Sequence, residues 1–191
     1  MTLNFDEAIV PFGGSAPHVE NPNKDILGGK GMGLQEMSSI GIDVPPGFTL
    51  ITKLCQVFDE KGDLPAELWA LVDKAVERVE QDMGRKFGDT SGAQPLLFSC
   101  RSGAKISMPG MMDTVLNVGL NKESVEGMAK ATGNRRFAFD AYRRLLVSLS
   151  QHELAPDIVF AFFRRNGSCG LFPSTTGYVW RCCSWHSTRS F

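Results

Sequence analysis

Apolar and polar positions along this chain repeat with two different periods. Between residues 68 and 83, Leu68, Leu71, Val72, Ala75, Val76, Val79 and Met83 return every three or four positions. That spacing gathers them on one stripe of a helix starting after Pro65. Glu67, Asp73, Lys74, Glu77, Arg78 and Glu80 take the other positions, which predicts a core-facing helix with a solvated charged face. Phe137, Ala138, Ala141, Leu145 and Leu149 predict a second apolar stripe, on a helix that Gly133-Asn134 starts. Asn121 can cap another helix over about 122–131. Short apolar runs at 48–51, 95–100 and 114–118 read as strands, and residues 1–25 as an irregular or short-strand entry. Between them lie the glycine-rich Gly28-Gly29-Lys30-Gly31-Met32-Gly33, a short helix at 34–40 that Gly41 stops, and the rigid turn Val44-Pro45-Pro46-Gly47. Thr52 can cap a following helix. Helices and strands alternate without strict regularity, so the expected class is mixed, α+β.

The pattern is lost near residue 150. From Ile158 to Phe191 there is no acidic residue, and these 34 positions hold three cysteines, two tryptophans and five serines without periodicity. The expected organisation is a partial domain over 1–149 and an atypical tail over 150–191 that is poorly ordered. Its composition resembles a frame-shifted or mis-spliced end.

Composition narrows the class further. The 191 residues suffice for one ordinary domain or two small lobes. A net charge of −1 gives no reason to expect a nucleic-acid or membrane surface. No apolar run approaches the ~20 residues that span a bilayer. The acidic start, Met1-Thr2-Leu3-Asn4-Phe5-Asp6-Glu7, has no secretory apolar core, so a cytoplasmic protein is expected. Cys55 and Cys100 sit in apolar surroundings as small hydrophobes. Cys169, Cys182 and Cys183 lack metal-ligand spacing, and no metal ligand is assigned. His18, His152 and His186 have no nucleophile or metal partner at a fitting spacing.

Two segments carry candidate chemistry. Residues 101–114, Arg-Ser-Gly-Ala-Lys-Ile-Ser-Met-Pro-Gly-Met-Met-Asp-Thr, are too polar for a core strand and too rich in methionine for an ordinary solvent loop. Arg101 offers a planar fork of donors suited to phosphate oxygens. Ser102, Ser107 and Thr114 add hydroxyls, while Gly103 and Gly110 let the backbone bend and Pro109 stiffens it. Arg101 is expected directly after a strand, with its stem held by regular backbone. The other segment, 28–33, fits neither GxxxxGK[ST], since Gly31 follows Lys30, nor GxGxxG, since position 36 is Glu36. Its glycines still let backbone N–H groups approach an anion, and Lys30 adds a full charge. A flexible glycine turn with a solvent lysine is the competing reading. Adjacent residues in Arg135-Arg136 and in Arg143-Arg144 point about 100° apart on a helix, so each pair cannot form one clamp; they read as solvated residues or packing salt bridges.

These residues carry a family resemblance. Residues 26–31 (Ile-Leu-Gly-Gly-Lys-Gly), Val44-Pro45-Pro46-Gly47-Phe48-Thr49, Arg101-Ser102-Gly103-Ala104 and 108–114 (Met-Pro-Gly-Met-Met-Asp-Thr) resemble the N-terminal end of the pyruvate, phosphate dikinases. Lys86-Phe87-Gly88, 132–138 and Tyr142-Arg143-Arg144 agree in order and spacing, from about residue 8 to 146. The resemblance implies the first part of an ATP-grasp nucleotide-binding domain. It implies ATP, phosphate and Mg2+ in a transferase that phosphorylates a histidine and then makes phosphoenolpyruvate from pyruvate. Lys30 then resembles a lysine on the ATP phosphates, with Gly28, Gly29 and Gly31 around it. Arg101 resembles the catalytic arginine on the transferring phosphates. Ser102, Gly103, Met108, Gly110 and Thr114 belong to the segment closing over them. The magnesium ligands are expected in a part of the family's site that the matching residues do not include, and pyruvate chemistry only in a full-length protein. The isolated chain is expected to be inactive. The alternatives are a non-catalytic nucleotide- or phosphate-binding module and a non-functional truncated product.

Overall fold

A computed structural model describes residues 7–17, 19–54, 57, 65–102, 114–151 and 183–187. Along them run β1 (Ile9–Phe12), α1 (Lys24–Ser39), β2 (Gly47–Leu50), α2 (Ala66–Met83), β3 (Phe98–Ser102), β4 (Thr114–Val118), α3 (Ser124–Thr132), α4 (Arg135–Gln151) and β5 (Cys183–Ser187). The strands make one sheet in the order β1-β2-β5-β3-β4, with every neighbouring pair antiparallel. Helices on an antiparallel sheet give the α+β class that the mixed pattern predicts.

The stripe on α2 packs as its period requires. Leu68, Val72, Val76 and Val79 are buried, and Trp69 joins them. Pro65 stands at the N-cap and Gly84, at φ 62°, takes the left-handed conformation that ends the helix. The charged face departs from a simple solvated one at three positions. Arg78 is half-buried and donates from Nη2 to the Gly47 carbonyl at 2.5 Å. Burial pushes its guanidinium below the ordinary value, against the opposing pull of Asp82. Glu80 accepts from the Phe87 N–H at 2.8 Å and from Lys86 Nζ at 2.7 Å. Asp82 accepts from the Ser15 N–H at 3.1 Å. These groups fasten chain turns that pass over the helix, which residue spacing within the helix cannot show.

Asparagine side chains start the last two helices. Asn121 Oδ1 accepts from the N–H groups of Glu123 and Ser124 at 2.9 and 2.7 Å, and Asn134 Oδ1 from that of Phe137 at 3.0 Å. On α4, Ala138, Ala141 and Leu145 are buried while Phe137 is 44% exposed. Phe137 therefore leaves the expected stripe; it precedes Ala138 by one position, about 100° around the helix. Arg143 and Arg144 both pair with Asp140, at 2.7 and 2.8 Å, and hold its carboxyl below the usual range. Arg135 pairs with Glu126 at 2.8 Å. These are surface ion pairs, but Arg143 and Arg144 converge on one carboxylate, against the angular argument for the doublet, because Asp140 stands three and four positions before them on the helix.

The two faces of the sheet differ in kind. Residues opposite one another in an antiparallel pair share a face, and successive residues alternate. The register places Phe48, Trp185, Cys100 and Val115 in one row, and Phe48, Cys100 and Val115 are all buried. This is the core face. Phe98 lies on it, ring against ring with Phe48 (centroids 6.1 Å apart) and Phe87 (5.4 Å). Leu68 and Val72 of α2 and Ala141 and Leu145 of α4 belong to the same buried cluster. The next row is Val10, Thr49, Ser184, Arg101 and Thr114, on the opposite face.

Candidate functional site

The glycine segment is helical, not a turn before a helix. Helix α1 runs through it from Lys24, and Gly28, at φ 71° and ψ 171°, breaks it into two limbs. An L side chain hardly enters that backbone region, so only glycine suits the elbow. The limb from Gly29 onward therefore opens with its own first-turn N–H groups, and Gly29, Lys30 and Gly31 supply them. Both limbs are pinned. Thr52 donates from its N–H to the Ile26 carbonyl at 2.8 Å and from Oγ1 to that of Asp25 at 2.7 Å. Gln35, buried, donates from Nε2 to the Pro11 carbonyl at 2.8 Å. Thr52 thus ties the elbow to the end of β2, directly before the helical residues Lys53 and Leu54.

Gly31 sets the helix against the sheet. A Cβ there would lie 3.0 Å from Thr49 Cγ2 and 3.2 Å from both Thr49 Oγ1 and Leu27 Cβ. Thr49 is buried beneath it. Lys30, half-buried, sits one position earlier and flanks that contact.

Arg101 lies inside β3, one residue before its end, so regular backbone extends further than the expected strand. It is exposed and pairs with Thr114 at the start of β4. Ser102 closes β3, so Arg101, Ser102 and Thr114 frame the mouth of the segment between the strands. Gly103, Met108 and Gly110 lie outside the described residues, as do Lys105, Ser107 and Pro109.

One geometric relation joins the two segments. Thr49 is opposite Ser184, and Ser184 is opposite Arg101. Thr49 and Arg101 thus share a face, two strand spacings or about 10 Å apart. The helix that rests Gly31 on Thr49 therefore flanks the same face as Arg101, where two cations and a helix N-terminus suit an extended anion better than a lone one. Thr49 was missed in the sequence. Its signal was the alternation Phe48-Thr49-Leu50, which sends a threonine to the face opposite two buried apolar residues. Among the described residues, no group of three or more His, Cys, Asp or Glu side chains is placed to hold a metal ion. No helix among the described residues is long and apolar enough to cross a membrane.

Replacing Gly28 with alanine is expected to cost about 1–3 kcal/mol, read from urea unfolding, because the elbow's backbone is closed to L residues. Gly33→Ala is the control. Gly33 has open space around it and no positive φ, so the change should be neutral or stabilise by about 0.5–1 kcal/mol. Equal midpoints for the two variants would mean the elbow is not held in solution.

The family description "Pyruvate phosphate dikinase, AMP/ATP-binding domain" matches residues 24–82, which span the elbow, β2 and α2. Pyruvate, phosphate dikinase 1, chloroplastic, from Oryza sativa subsp. japonica is 52% identical over 136 residues, 71% of this chain and 14% of that protein. Its namesake from Zea mays is 51% identical over 136 residues, again 71% and 14%. Pyruvate, phosphate dikinase from Rhizobium meliloti (strain 1021) is 47% identical over 139 residues, 72% of this chain and 15% of that protein. The chain spans about one seventh of the length of these relatives. Proteins named chloroplastic stand beside one from Rhizobium meliloti, so the relatives assign no single compartment. Across the matched residues this chain carries part of the AMP/ATP-binding domain of the pyruvate, phosphate dikinases, as an N-terminal fragment of such a protein would.

Proposed function

We propose that this chain is the ATP-binding portion of a pyruvate, phosphate dikinase-like phosphotransferase, the first part of an ATP-grasp-like domain over residues 1–149 followed by a tail of atypical composition. The observation that supports it is the register linking Thr49, beneath Gly31, to Arg101 on one face of the sheet. Lys30 and the first-turn N–H groups of the second α1 limb take one end of the phosphate chain. Arg101 takes the other, presenting its guanidinium fork to the transferring phosphates. Ser102 and Thr114 stand where the segment holding Gly103, Met108 and Gly110 leaves and rejoins the sheet, and that segment closes over the ligand. Phosphoryl transfer needs mainly positioning and charge neutralisation, which are the roles these groups can fill.

Magnesium enters this reading through the resemblance alone, with its carboxylate ligands in parts of the family's site outside these residues. Pyruvate and phosphoenolpyruvate belong to a full-length protein, as does any cytoplasmic or organellar address. The chain alone should therefore bind ATP without turning it over. Calorimetric titration of ATP into the intact chain should give saturable heat, while ATP, phosphate and pyruvate together should give no phosphoenolpyruvate. Steady phosphoenolpyruvate production would refute the inactive-fragment reading. Absence of any ATP heat would refute the binding reading and favour a non-functional truncated product.

A further inference from the structure

The sheet's order sets an unusual condition on the chain. Strands β1 and β2 pair with each other, and so do β3 and β4, but among the described residues β2 and β3 are joined by backbone pairing only through β5, with Phe48 and Phe98 packing across the gap. Take residues 183–187 away and the hydrogen-bonded sheet parts into two two-stranded ribbons, held to each other by side-chain packing and the helices against them and no longer by a continuous ladder. β5 pairs along three positions with β2 and along five with β3, so both its edges are used.

Its sequence also suits its place. Trp185 holds the register position between Phe48 and Cys100, both buried on the core face. Ser184 and His186, on either side, hold positions in rows of the other face, with Thr49 and Arg101 and with Gly47 and Ser99. A slip of one residue would exchange these rows and put the tryptophan position among Thr49 and Arg101. Polar-apolar-polar at 184–186 is thus the pattern the gap requires, in a stretch that lacks periodicity elsewhere.

We propose that the gap between β2 and β3 is a strand-acceptor slot, and that its occupant is this chain's own segment 183–187, without which the first 149 residues do not form one sheet. The tail expected to be poorly ordered then contributes the central strand. Because residues 152–182 separate this strand from α4, it is joined to the sheet by a long connection and is exchangeable. A separate peptide bearing the same residues can replace it.

Amide hydrogen exchange on the intact chain tests this without any ligand. The amides of 183–187 should be protected together with those of β2 and β3, exchanging at least 100-fold more slowly than unprotected amides, in a protein of monomeric mass. Free exchange at 183–187 alongside protected β2 and β3 overturns the proposal. The same protection in a dimer would give the slot to a second copy's strand and overturn the own-chain assignment. Trp185→Pro, which removes a ladder hydrogen bond from a central strand, should abolish protection in β2 and β3. An excess of a peptide covering 181–191 should then restore it. Wild-type protection in Trp185→Pro, or no rescue by the peptide, also counts against the slot.

Discussion

Phe98→Ala is expected to lower the unfolding free energy by about 3–5 kcal/mol, the range for removing a buried aromatic ring and leaving its cavity. Phe98 is fully buried in β3, between the ring of Phe48 on β2 and the ring of Phe87 beyond the end of α2. Its partner across the ladder, Val118, is fully buried as well. The ring therefore joins both ribbons of the sheet to the segment after α2. A domain of this size is stable by only about 5–15 kcal/mol, so the variant should lose much of its urea midpoint or fail to fold. Phe137→Ala tests whether burial, not aromatic content, is responsible. Phe137 is 44% exposed on α4, and its removal should change stability by no more than about 0.5 kcal/mol. Similar losses from the two changes would mean the core is misplaced.

Local signals in the sequence account for much of this fold. The three- and four-residue spacing of Leu68, Val72, Val76 and Val79 located α2, and Gly84 ended it. Asn121 and Asn134 announced α3 and α4 because a cap acts on amides two or three residues away. The run 114–118 became β4 with the same bounds. What failed was long-range. Arg78 looked like a surface charge because nothing within α2 reveals that the Gly47 carbonyl lies over it. The 28–33 segment looked like a turn because its glycines have low helix propensity. Contacts from Thr52 and Gln35 outweigh that propensity everywhere but at Gly28. β5 was illegible for the same reason, since its partners stand more than 80 positions earlier in the chain. The candidate site was half legible. Residue chemistry singled out Lys30 and Arg101, but only strand register puts Thr49 and Arg101 on one face.

That division leads to the sharpest functional expectation: Arg101→Ala should weaken ATP binding roughly 10- to 150-fold while leaving the unfolding midpoint nearly unchanged. A hydrogen bond to a charged group contributes about 1.5–3 kcal/mol, and each 1.4 kcal/mol is a factor of ten in affinity. Arg101 is exposed near the end of β3, and its ladder partners, Thr114 and Ser184, are joined through backbone that alanine supplies equally well. Stability should therefore move by no more than about 0.5 kcal/mol. Arg101→Lys separates charge from shape. Lysine restores the positive charge without the two-pronged fork, so an affinity between wild type and Arg101→Ala indicates that the guanidinium holds phosphate oxygens in pairs. Lys30→Ala should weaken binding as well, through the other end of the phosphate chain. Its effect should be less than additive with Arg101→Ala if one ligand spans both residues, because losing either contact loosens the other. ATP affinity unchanged in Arg101→Ala, with the wild-type chain binding normally, would detach Arg101 from the site and leave the α1 elbow as the only anion contact in the reading.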